Sequence, residues 1–178
     1  MDPIRGRRGI FEVETAFSSP AALWRDPARV VASGFGIGFA RWAPGTWGSL
    51  AALVPGYGIV STVGRLGLVV AFIAAFAIGT WAAARSVRST PDKDPSFIVI
   101  DEIAGQWLVL VAAGPDPWLC ALAFVLFRIA DIWKPWPVSW VDRRFRSGLG
   151  VMLDDVAAAL FAGIGVVLVA LVWRGGLS

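Results

Sequence analysis

At 178 residues, 57% hydrophobic and only 16% charged, with a mean hydropathy of +0.68, the chain has the length of one domain and too little charge to cover a water-facing surface. Its net charge of +3 does not gather into a basic stripe interleaved with aromatics, which argues against nucleic acid as a partner. No histidine and a lone cysteine, Cys120, argue against a zinc centre and exclude an internal disulfide and a phosphohistidine intermediate.

Residues 1–29 read as a polar, cytosolic N-terminal extension. Arg5, Arg7 and Arg8 are the start of a signal peptide only in charge, because Glu12 and Glu14 stand where its apolar region belongs. Residues 30–178 read as a single membrane domain. Gly34-Phe35-Gly36-Ile37-Gly38 is too short to span and lacks the βαβ setting of a dinucleotide loop. The stretch 47–64 is apolar but holds Pro55, Gly56 and Gly58, which predicts a first span that is kinked or partly re-entrant. At its start, Pro44-Gly45-Thr46-Trp47-Gly48-Ser49 opens a helix. Glycines there admit close backbone approach, Thr46 is placed to cap, and free N–H groups favour an anion; a capped turn alone would look the same.

Residues 66–84 can cross without meeting a charge. Asp92-Lys93-Asp94 has the spacing of an aspartyl-phosphatase loop, but Arg88-Ser89-Thr90-Pro91 precedes it instead of a hydrophobic strand, so a polar loop is expected. A third span, 97–113, carries Asp101 and Glu102, and a fourth, 118–134, carries Arg128 and Asp131. Pro135 and Pro137 end the fourth after Lys134. The fifth, 151–173, carries Asp154 and Asp155. The expected fold is all-α, a polytopic membrane helical bundle with a broken first span.

With the N-terminus in the cytosol, five spans put thirteen Lys and Arg residues inside and only Arg65 and Arg174 outside. Trp42, Trp47, Trp133 and Trp136 then fall at the inner interface, Trp118 and Trp173 at the outer. The same orientation brings Asp101, Glu102, Asp131, Asp154 and Asp155 to one depth beside the cytosolic headgroups, with Thr46 and Ser49.

Carboxylates within apolar spans cost about 2.5–3.5 kcal/mol each, so they need partners or a wet cavity. A divalent cation satisfies them and attracts an anionic lipid phosphate, and Mg²⁺ suits an all-oxygen donor set. Asp101-Glu102 and Asp154-Asp155 are neighbours about 100° apart on a helix, so one of each pair can face a site. The competing reading is a buried ion pair with Arg128, Lys134 or Arg143. Arg128, Asp131 and Lys134 share one broad helix face, and Lys134 reads equally as a phosphate-facing cation or a snorkelling anchor. Cys120 has Leu126, not arginine, six residues on, so cysteine-phosphatase chemistry is excluded and metal-activated water or an aspartate nucleophile remains.

Several segments resemble the bacterial phosphatidylglycerophosphatase A family: Pro44 to Ser49, Ile100-Asp101-Glu102 with Gly105 and Trp107, Phe127 to Pro137, Asp142-Arg143, and Gly148 to Asp155. The resemblance covers about residues 30–170 and leaves the extension unmatched. It implies a helical fold and Mg²⁺-dependent hydrolysis of phosphatidylglycerophosphate to phosphatidylglycerol and phosphate at an inner membrane. The expected site has Mg²⁺ held by a subset of Asp101, Glu102, Asp154 and Asp155. Asp131 is a further ligand, the base or a nucleophile, and Lys134 and Arg128 offset phosphoryl charge. Gly45, Thr46, Gly48, Ser49 and Arg143 bind the substrate phosphate. The competing class is an ion or proton transporter, which predicts carboxylates at several depths. A CDP-alcohol phosphotransferase would need an Asp-Gly-x-x-Ala-Arg opening that is missing.

Overall fold

The computed structural model describes Trp24 and residues 26–88, 95–144 and 147–175. Most of the N-terminal extension, Asp92-Lys93-Asp94 and the Arg143 side chain lie outside the described residues. Seven α-helices and no strand occur among those described: α1 (Pro27–Ala32), α2 (Pro44–Thr62), α3 (Arg65–Arg88), α4 (Ile100–Ala113), α5 (Pro117–Trp133), α6 (Val138–Arg144) and α7 (Gly148–Gly175), with a 3₁₀ turn at Ile37–Phe39.

Local chemistry sets several boundaries. Asp26 caps α1 by accepting from the Ala28 N–H, and Asp116 caps α5 by accepting from the Trp118 and Leu119 amides. Pro27, Pro44 and Pro117 stand in the first turns, where a missing N–H costs nothing. That placement corrects the capping role expected of Thr46. Helix α2 starts earlier, at Pro44, with Ala43 as its N-cap at φ 46°, and Thr46 lies inside the first turn, its N–H donating to the Ala43 carbonyl.

Pro55 sits within α2, whose helical course continues past it to Thr62. The break in the first span is one of bonding: proline offers no N–H to the carbonyl of residue 51. One residue along, the Ala52 carbonyl accepts from Trp107 Nε1 at 3.0 Å, so α4 buttresses α2 at the proline.

Helix α4 is the hub, packed against α2, α3, α5 and α7. One apolar core, including Leu110, Phe127, Ala158 and Val166, fills the space between α4, α5 and α7. A second, with Ala28, Ala82, Ile100 and Met152, ties α1 and α3 to the start of α4 and α7.

Two helices, Arg65–Arg88 and Gly148–Trp173, are long and apolar enough to cross a membrane, and only 28% of the most apolar window of each is buried. Their outward faces carry Leu66, Val70 and Ile73 on α3, and Leu160, Ile164 and Leu168 on α7. By contrast, α4 has 14 residues, about 21 Å of helix against a hydrocarbon core of about 30 Å.

Candidate active site

Four helices send polar side chains to one end of the bundle. Helix α4 contributes Asp101 and Glu102 from its first turn, where the partial positive charge of a helix N-terminus favours acids. Helix α5 contributes Arg128 and Asp131 from its last turns and Lys134 as its C-cap, in a left-handed conformation at φ 44°. Helix α7 contributes Asp154 and Asp155, and the first two turns of α2 bring Gly45 against Glu102 and Ser49 against Arg128.

Small residues allow this convergence. A Cβ at Gly45 would collide with the Glu102 carboxylate, so α2 approaches α4 there through bare backbone. At Gly105 a Cβ would stand 2.6 Å from the Phe127 ring and 3.2 Å from the Asp155 carbonyl oxygen, so the same device brings α4 against α5 and α7.

The Asp101, Glu102 and Asp155 carboxylates each offer an oxygen within 4.8 Å of the others. Asp155 is 3% exposed and Asp101 9%. Asp101 Oδ1, Glu102 Oε2 and Asp155 Oδ2 are buried with no hydrogen-bond partner. Ionised carboxylates buried this close together repel one another and are stabilised by a counter-charge between them. Their all-oxygen character fits a hard divalent cation, and the absence of histidine makes the donor set unsuited to zinc.

Beside the trio lies the guanidinium of Arg128. Its Nη1 is 2.9 Å from Asp131 Oδ2, 3.9 Å from Glu102 Oε1 and 3.3 Å from Ser49 Oγ. Ser49 is fully buried, and its hydroxyl donates to the Gly45 carbonyl at 2.9 Å, which fixes it beneath the arginine. Arg128 Nε remains buried without a partner.

Asp154 is not one of the trio. Its Oδ2 accepts from Lys134 Nζ at 2.8 Å, and its Oδ1 accepts from the Asp155 N–H at 3.1 Å. Within the 154–155 pair, therefore, Asp155 faces the centre and Asp154 holds Lys134; within 101–102, both members face it. Gly48 serves packing, since a Cβ there would press on Val99 at 2.9 Å. Gln106 carries no motif signal, yet it is wholly buried with both amide atoms unpartnered. Its one clue in the sequence is its place one helical turn from Glu102.

Fold and site together define a helical protein with an apolar exterior and a buried carboxylate–arginine centre at one end. The phosphatidylglycerophosphatase A family model matches residues 30–170 of the chain. Similar proteins named phosphatidylglycerophosphatase A occur in Escherichia coli, 38% identical over 78% of this chain and 81% of the relative, and in Haemophilus influenzae, 37% identical over 78% and 86%. A Bacteroides thetaiotaomicron protein, provisionally named a phosphatidylinositol-3-phosphatase, is 37% identical over 76% of this chain and 88% of its own length. No solved structure matches. The chain belongs to the phosphatidylglycerophosphatase A family, a family of phosphatases.

Proposed function

We propose that the chain hydrolyses the terminal phosphomonoester of phosphatidylglycerophosphate to phosphatidylglycerol and inorganic phosphate, in an Mg²⁺-dependent reaction at the cytosolic face of a bacterial inner membrane. The observation that carries this reading is the trio of buried carboxylates with orphaned oxygens beside a paired arginine. In support, the polar centre lies at one end of the bundle, while the long helices present apolar faces outward.

Asp101, Glu102 and Asp155 are the residues that would hold Mg²⁺. The ion supplies the positive charge that polarises the phosphoryl oxygens and lowers the pKa of a water. Arg128, held between Asp131, Glu102 and Ser49, presents fixed positive charge to the transferred group and needs little reorganisation during reaction. Asp131, oriented by its bond to Arg128, accepts the proton of the attacking water. Gly45, Thr46 and Ser49 shape the wall against which the phosphate rests, and Arg143 is a further cation for that phosphate. Lys134 balances Asp154 and borders the site. Residues 30–178 act as one domain on this reading, with the basic loops facing the cytosol.

The test is phosphate release by purified protein in nanodiscs holding phosphatidylglycerophosphate, with phosphatidylinositol 3-phosphate and phosphatidic acid in parallel. We expect turnover of the first with Mg²⁺ and none with EDTA, and a loss of about 100-fold or more in Asp131→Asn and Asp155→Asn. Faster release from phosphatidylinositol 3-phosphate would reassign the substrate. Full rates with EDTA, or in both variants, would overturn the site.

A further inference from the structure

Gly34-Phe35-Gly36 is a loop with an unusual cost and no part in the site. Three consecutive residues adopt positive φ, at 56°, 59° and 100°, and the middle one is a bulky aromatic for which that conformation is unfavourable. The loop is pinned from behind. The buried Ser33 hydroxyl donates to the Val30 carbonyl at 3.2 Å and accepts from the Gly36 N–H at 3.0 Å. A Cβ on Gly34 would stand 2.9 Å from Ile103 and 3.1 Å from Val99, which places the loop against the helix turn that bears Asp101 and Glu102. Phe39, five residues before α2, stacks on Phe97 with ring centres 5.4 Å apart.

In front, the same segment is apolar and uncovered. Phe35 is 74% exposed, Trp42 77% and Trp47 53%, with the exposed Arg41 among them. Holding an aromatic side chain outward on a strained, braced backbone makes sense where the medium beyond is itself apolar. Aromatic rings mixed with a cation match the glycerol and headgroup layer of an anionic bilayer, and the surface continues into the outward apolar residues of α2, such as Val54 at 78% exposed.

The geometry points to residues 34–47 as an interfacial wedge: Phe35, Trp42 and Trp47 enter the polar–apolar boundary of the phospholipid leaflet beside the carboxylate centre and hold the site at headgroup depth. This inference rests on the lipid-phosphatase reading above and adds the surface by which the lipid is engaged.

The experiment places an NBD fluorophore on Phe35→Cys in the full chain, in nanodiscs of phosphatidylglycerol and phosphatidylcholine. Unmutated protein is the labelling blank, since Cys120 is buried. Blue-shifted emission, quenched by lipids brominated near the glycerol end of the acyl chain, is expected. Water-like emission overturns the proposal. Blue-shifted emission that brominated lipid does not quench also overturns it, because protein then covers the loop, either the chain's own N-terminal segment or a second copy. Kinetics give a second reading. Phe35→Asp and Trp42→Asp should raise the KM for bilayer substrate about tenfold, the scale of withdrawing one aromatic side chain from lipid, at unchanged kcat. Rates on monomeric short-chain substrate should hold. An equal loss on both substrates would mean a structural role and refute the wedge. Wild-type inactivity on either substrate would strike the phosphatase reading, while the fluorescence result stands apart from activity.

Discussion

Gly45 leaves room for the Glu102 carboxylate only because it has no side chain, so the α2–α4 contact transmits any change directly to a cation-facing oxygen. Gly45→Ala should displace that carboxylate and lower kcat/KM about 100-fold, the usual scale for an ångström's misplacement. The melting temperature should move little, because the collision is with a side chain that can swing. Lys134 and Asp154 offer a second test at this scale. Their 2.8 Å bond joins the end of α5 to α7, and a double-mutant cycle with Lys134→Met and Asp154→Asn should give a coupling of about 1–3 kcal/mol in unfolding. Additive effects would mean that the pair contributes no mutual stabilisation. Both acidic pairs stand out in the sequence as charges inside apolar segments. The sequence leaves open which member of each faces inward, because helix phase is set by neighbours: the Lys134 cap claims Asp154 and leaves Asp155 to the centre.

Helix α2 reads in sequence as a broken span because Pro55, Gly56 and Gly58 sit within it, yet its helical course is continuous. Tertiary packing supplies what the pattern could not show. Gly56 accepts the Trp107 ring at 2.9 Å from its would-be Cβ, and Trp107 Nε1 bonds the Ala52 carbonyl. Trp107→Phe keeps an aromatic ring but removes the donor and part of the indole's volume, so it should cost about 1 kcal/mol or more in detergent unfolding. No change would mean that the bond adds nothing to the proline region. Thr46 misled for a related reason: Ser and Thr are good caps, but Pro44 starts the helix first. The short α6, Val138–Arg144, lies just past two prolines and has too few residues for a period to be read.

Five apolar segments are legible in the sequence as helices, and among the described residues α3 and α7 are long and apolar enough to cross a membrane. Helices α2, α3, α5 and α7 pack on α4, which has 14 residues. The distribution of Lys and Arg predicts one topology. In sealed vesicles of known orientation, Ser96→Cys should react with a membrane-impermeant thiol reagent from the cytosolic side, and Pro115→Cys from the other. Labelling of both from one side would overturn the five-span arrangement. The bundle's purpose on this account is to hold three acids from two helices at one point beside an arginine, where a cation makes their burial sustainable. Mn²⁺ titration of the purified protein by electron paramagnetic resonance measures that point itself. The account predicts saturable Mn²⁺ binding that Mg²⁺ displaces and that Asp101→Asn and Asp155→Asn each weaken about tenfold or more, while Asp26→Asn leaves it unchanged. Equal binding by all four proteins, or none by the unmutated chain, would contradict it.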